Sequence, residues 1–169
     1  MTPEIQVIIN LLSILITALL TYYFAKQRYT YEKLYDRKFL YLEEIYGKII
    51  SLEKDLKKYI YTIGADMNEG SLLKKQEEIS PIQNKFFDLQ EFFWKKEIIL
   101  EESSVAVIQS FIDFSIETLS KLRVSIVSQS INDPKTSHEQ WESAFQVMKE
   151  KLAKSKEQLK KDFRDKIKN

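Results

Sequence analysis

The sequence predicts an all-α protein: one N-terminal transmembrane helix continuing into a cytoplasmic bundle of about four helices. Three observations predict it. Residues 5–24, IQVIINLLSILITALLTYYF, form an uncharged and largely apolar run, close to the roughly 20 residues that a hydrocarbon core requires. Beyond that run, apolar residues recur at spacings of three and four, and no strand alternation appears. Glycine and proline are scarce, three of each in 169 residues, and, Gly47 apart, they mark helix boundaries. The expected domains are therefore 1–25, a transmembrane helix with a short N-terminus outside, and 26–169, the cytoplasmic bundle.

The first element reads as a retained anchor. No basic residue precedes the apolar run, and no small-x-small cleavage site follows it. Lys26, Arg28, Lys33, Arg37 and Lys38 come directly after it. Positive charge on that side places the C-terminal part in the cytoplasm and predicts a single-pass protein of the cytoplasmic (inner) membrane. Tyr22 and Tyr23, with Lys26 and Arg28, suit the membrane interface.

Within the run, the non-aromatic polar residues are Gln6, Asn10, Ser13, Thr17 and Thr21, spaced by 4, 3, 4 and 4. On a helix all five share an arc of about 80°. Polar groups in lipid are costly without a partner or water. The stripe therefore predicts a homo-oligomeric ring in which these five residues line a pore. A dry packing seam between helices is the competing reading of the same spacing.

The next elements follow from the same periodicity. A stripe of Tyr35, Phe39, Leu42, Tyr46, Ile49, Leu56, Ile60 and Ile63 extends the first helix. One helix over 4–63 would be roughly 90 Å long. It would couple packing of the bundle to the width of the pore. Gly64 to Gly70 breaks the pattern. A short helix is expected over 71–79, then a fresh N-terminus at Ser80-Pro81-Ile82-Gln83, with Ile82, Phe86, Leu89 and Phe93 on its apolar face. A third helix starts near Ser103 or Ser104 and carries Val105, Ile108, Phe111, Ile112, Leu119, Leu122 and Ile126. It ends before Asn132-Asp133-Pro134. The last helix is expected to open at Ser137, with Trp141, Phe145, Met148, Leu152, Leu159, Phe163 and Ile167 as its stripe.

Composition narrows the chemistry. The chain has no cysteine and a single histidine, His138. Thiolate chemistry, disulfides and multi-histidine metal sites are excluded, and no cofactor is expected. No Gly-rich phosphate loop or nucleophile–base pair is present. Net charge is only +1, unevenly spread. Residues 66–117 hold 11 acidic and 5 basic side chains, and residues 149–169 hold 9 basic and 4 acidic ones. The basic tail reads as a solvated helix face, or as a contact for lipid headgroups or an RNA-bearing complex. It lacks interleaved aromatics, so no direct specific nucleic-acid binding is expected.

One further pattern is Asn132 to His138, Asn-Asp-Pro-Lys-Thr-Ser-His, at the last helix junction. It is read first as a capped turn with a surface histidine. The Asn and the following His also resemble part of the Arg-Asn…His motif of HEPN domains, helical bundles that include ribonucleases. Here Ile131 stands where the motif has its arginine. Asn132 and His138 are thus weak catalytic candidates, and the chain is expected not to be an enzyme. Taken together, the helix at 5–24, its basic exit, the bundle and Asn132–His138 resemble the small membrane accessory proteins of type VI-B CRISPR systems. Those have one transmembrane helix and a divergent HEPN-like bundle. The resemblance implies a ring-shaped pore that depolarises the membrane in bacterial antiviral defence, opened by an RNA-guided effector as partner. The alternatives are a membrane-tethered HEPN-type ribonuclease and a passive membrane anchor or scaffold.

Overall fold

The computed structural model describes residues 3–64 and 72–168; the side chains of residues 4, 7–9, 63–64 and 166–168 lie outside the description. Among the described residues every element is helical and there is no strand. Helix α1 runs from Pro3 to Lys58 and ends in a π-helical turn, Tyr59–Gly64. Helix α2 spans Leu72–Lys96 and closes in a 3-10 turn, Glu97–Ile99. Helix α3 spans Glu102–Ser130. The last arm consists of α4 (Pro134–Gln146), a π turn (Val147–Leu152) and α5 (Ala153–Lys168). The chain divides into two units, residues 1–40 and 41–169.

The second unit is an antiparallel four-arm bundle, and its polar cross-contacts give the register. Between α3 and the last arm, Ser125 meets Ser137, Lys121 meets Ser143, Glu117 meets Lys151, and Ser104 meets Asp162. Residue numbers rise on one arm as they fall on the other. Tyr59 against Lys75, Asp55 against Lys85, and Tyr41 against Phe93 set α1 and α2 in the same sense.

The core explains why these helices form. Tyr41, Ile45, Ile49, Leu52, Leu56 and Ile60 present a 4-4-3-4-4 stripe from the first arm. Ile79, Ile82, Phe86, Leu89 and Phe93 answer from α2, and Ile108, Phe111, Ile112, Leu119, Leu122 and Ile126 from α3. Ala144, Met148, Leu152, Leu159 and Phe163 close the core from the last arm. Each large side chain buried this way contributes roughly 1.5–3 kcal/mol.

Four sequence expectations are corrected here. The stripe of the first arm holds at Ile49, Leu56 and Ile60, which are buried, but not before them: Tyr35 and Phe39 are exposed, and Leu42 and Tyr46 only flank the core. No helix starts at Ser80, because α2 runs through Pro81. Pro81 is exposed, so its ring lies on the solvent side of the helix. Burial of Lys75, Ile79, Ile82 and Phe86 on the opposite side offsets a proline cost of about 3 kcal/mol. The last helix opens at Pro134, with Asp133 as its cap. Ser137 is buried inside the first turns, its oxygens turned to Ser125. Finally, the continuous pattern expected for the last arm is interrupted by the π turn at Val147–Leu152. The break expected at Gly64–Gly70 begins inside the π turn at Gly64, and its remainder lies outside the described residues, as does the side chain of Ile167.

Candidate functional site

The first unit is a helix without a core. From Asn10 to Arg37 every described side chain is exposed. Leu11, Leu12, Ile14, Leu15, Ile16, Leu19 and Leu20 are between 51% and 66% exposed, and Tyr22, Tyr23 and Phe24 between 61% and 68%. Up to Leu20 they cover the helix outside the arc that holds Gln6, Asn10, Ser13, Thr17 and Thr21. A soluble monomer rarely leaves a contiguous apolar surface of this kind uncovered.

Among the described residues, no helix is long and apolar enough to cross a membrane. The transmembrane expectation for residues 5–24 is therefore not met by those residues alone. Val7, Ile8 and Ile9, which belong to that run, have side chains outside the described residues.

The five residues of the polar stripe, Gln6, Asn10, Ser13, Thr17 and Thr21, are all exposed. They are chemically unequal. The Thr17 hydroxyl donates to the Ser13 carbonyl at 2.8 Å, and the Thr21 hydroxyl donates to the Thr17 carbonyl at 2.8 Å. Such back-bonding satisfies the donor within the helix itself. Gln6 and Asn10 carry amides that no such bond occupies among the described residues.

At the expected interface, Tyr22, Tyr23, Lys26, Gln27, Thr30 and Tyr31 line a shallow hollow of about 460 Å³ along the helix. The Thr30 hydroxyl donates to the Lys26 carbonyl at 2.9 Å. The Arg28 guanidinium donates to Glu32 at 2.8 Å, one turn on, so its charge is locally balanced. Lys33 lies 5.7 Å from the centre of the Tyr29 ring.

Asn132 and His138 are both exposed. Asn132 is the non-glycine residue with positive φ among the described residues, at 57°. Its N–H donates to the Gln129 carbonyl, and the Asp133 N–H donates to the Ser128 carbonyl. This 5→2 and 6→1 pair is a Schellman stop for α3, in which asparagine tolerates the left-handed position. Asp133 then accepts from the Thr136 N–H at 3.1 Å and opens α4, with Pro134 just inside the helix. That hydrogen bonding from Thr136 holds the Asp133 carboxyl below its ordinary value. His138 lies over Trp141, 6.1 Å between ring centres, and Trp141 stacks in turn on Phe145 at 5.9 Å.

The basic tail is partly committed to the bundle. Lys151 bonds Glu117 at 2.9 Å, Lys156 reaches Glu53 at 3.0 Å, and Lys149 lies over the Phe145 ring. The partners of Glu117 hold its carboxyl below the usual range, Lys151 first and Lys121 after it. Beside this arm, Ala106, Ser110, Phe114, Lys151 and Lys154 help line a groove of about 540 Å³ against α3.

Two buried charged residues escaped the sequence reading, Glu53 at 4% exposure and Lys75 at 2%. The Lys75 ammonium donates to the Gln129 side-chain oxygen at 2.9 Å. The signal for both was register: Glu53 stands four residues after Ile49, and Lys75 four before Ile79, each on the apolar stripe of its helix. No family model matches the chain, and neither does any curated protein or solved structure.

Proposed function

We propose that this chain is the subunit of an oligomeric membrane pore. Its N-terminal helix crosses the cytoplasmic membrane, with the N-terminus outside and the bundle in the cytoplasm. The observation that carries this reading is the broad exposure of apolar side chains from Leu11 to Phe24, beside one polar stripe. The complete uncharged run of residues 5–24, including Val7, Ile8 and Ile9, supplies the length, and the basic exit supplies the orientation. Gln6, Asn10, Ser13, Thr17 and Thr21 face the shared axis of the ring. The likeness in architecture to type VI-B CRISPR accessory proteins supports a role in antiviral defence. In that role an RNA-guided effector shifts the ring between a closed and an open packing, and a HEPN-like bundle serves as the cytoplasmic part.

The absence of cysteine from the chain permits a direct test. Thr17→Cys and Leu19→Cys place one thiol on the stripe and one on the opposite face. A charged, membrane-impermeant thiol reagent added to cells or vesicles should modify position 17 and block the current, and leave position 19 untouched. Equal protection of both positions rules out a wet lumen.

A passive anchor is the second reading, and one observation favours it. The Thr17 and Thr21 hydroxyls are satisfied by their own backbone, so they need no water. On that reading, an unrelated transmembrane helix replaces residues 5–24 without loss of function.

A further inference from the structure

We infer that the amides of Asn10 and Gln6, and not the threonine hydroxyls of the same face, hold copies of this helix together; the inference rests on the membrane reading above. The polar face divides by hydrogen bonding. Thr17 and Thr21 donate to the Ser13 and Thr17 carbonyls at 2.8 Å each. A hydroxyl bonded in this way asks nothing of its surroundings. An asparagine or glutamine amide offers two donors and an acceptor. Asn10 and Gln6 are exposed one turn apart, and neither amide has a partner among the described residues.

Lipid tails supply neither donors nor acceptors, and water reaches the shared axis only once copies have joined around it. The partner that fits at assembly is a second copy of this chain. An amide is donor and acceptor at once, so it is complementary to itself. Copies inserted in one orientation also bring residue 10 of each to the same depth, whatever their number. An unrelated helix has a matching amide at that depth only by coincidence. The apolar side chains beside the amides, Leu11 and Ile14, are 62% and 66% exposed and available to pack around the joined pair. Thr17 and Thr21 are then left free to line whatever space the assembly encloses.

The test uses the full chain in vesicles of phosphatidylethanolamine and phosphatidylglycerol. Membrane retention is read by a carbonate wash, and assembly by crosslinking across a lipid dilution series. Gln6→Leu combined with Asn10→Leu makes the helix more apolar, so insertion is preserved. This variant should need a protein-to-lipid ratio about tenfold higher to assemble, in keeping with interhelical hydrogen bonds in membranes. Thr17→Val combined with Thr21→Val should assemble as the natural chain does. The inference is overturned if the amide variant assembles normally, or if the threonine variant loses as much. It is also overturned if the natural chain stays monomeric in the membrane, or holds a different membrane protein in fixed ratio. Release of the natural chain by carbonate is a distinct result, and it overturns the membrane reading itself.

Discussion

Glu53 on α1 and Lys156 on α5 are joined at 3.0 Å across the bundle, and Lys57 reaches the same carboxylate at 2.8 Å from the next turn. The partners are unequal in their access to water. The Glu53 side chain is 6% exposed, whereas those of Lys57 and Lys156 are 41% and 19% exposed. Either lysine can turn to solvent if the carboxylate is removed, but the carboxylate has nowhere to go. Lys156→Met should therefore destabilise the bundle by about 2–3 kcal/mol, because it strands part of a buried charge. Glu53→Met should stay within about 1 kcal/mol of the natural chain, because an apolar group of similar volume replaces it. Urea unfolding of the two variants checks this order, and a reversed order refutes the asymmetry.

Asn132 is held at φ 57° by the stop that ends α3. Asn132→Ala should cost about 1 kcal/mol, the strain of a left-handed alanine, while Asn132→Gly should be neutral or slightly stabilising. If the side chain served catalysis, glycine would be as damaging to function as alanine. Melting temperatures and any measured activity of both variants together separate the two roles.

The cap at Asp133 makes a pH prediction. Its carboxyl is held low by hydrogen bonding from Thr136, so its folded pKa lies below the unfolded one. The stability it contributes is present above an unfolded value of about 3.9 and is lost as pH falls through the depressed folded value. Asp133→Ala should lower the melting temperature at neutral pH, and the gap should close in acid. Asp133→Asn, an equally good cap, should show neither effect.

At the alkaline end the sign reverses. Burial, helped by the charges of Glu97 and Glu44, raises the Tyr41 hydroxyl, and burial with Glu78 raises that of Tyr59. Stability from both is intact below the unfolded phenol value of about 10 and is lost as pH climbs toward the raised folded values. Tyr41→Phe combined with Tyr59→Phe should flatten the fall in melting temperature between about pH 10 and 12. An unchanged slope would show that other groups drive alkaline unfolding.

The helical class and most of the core were legible because period is a strong signal. Ile82, Phe86, Leu89 and Phe93 were expected on one face, and all are buried. What sequence alone misplaced were local choices between equal candidates. Ser80-Pro81 carries every mark of a helix start, yet burial of Ile79 and Ile82 on either side of it carries the helix through. Asp133 and Ser137 both can cap, and Pro134 decides in favour of Asp133 by occupying the first turn. On the first arm Ile49, Leu56 and Ile60 were legible, and the miss lies before them: Tyr35 and Phe39 are apolar like Tyr41 and Ile45, and only tertiary contact distinguishes them. At the candidate site the sequence locates the stripe but not its division, since a threonine that bonds its own backbone is spelled the same as one that does not.

The two tryptophans have a practical consequence. Trp94 is 57% exposed at the end of α2, while Trp141 lies between His138 and Phe145 with its indole nitrogen out of reach of solvent. In water an indole emits to the red, and against stacked rings it emits to the blue. The bundle therefore carries two optical probes of different colour at no cost in labelling. One spectrum, with Trp94→Phe as the control, separates loosening of the last arm from melting of the whole.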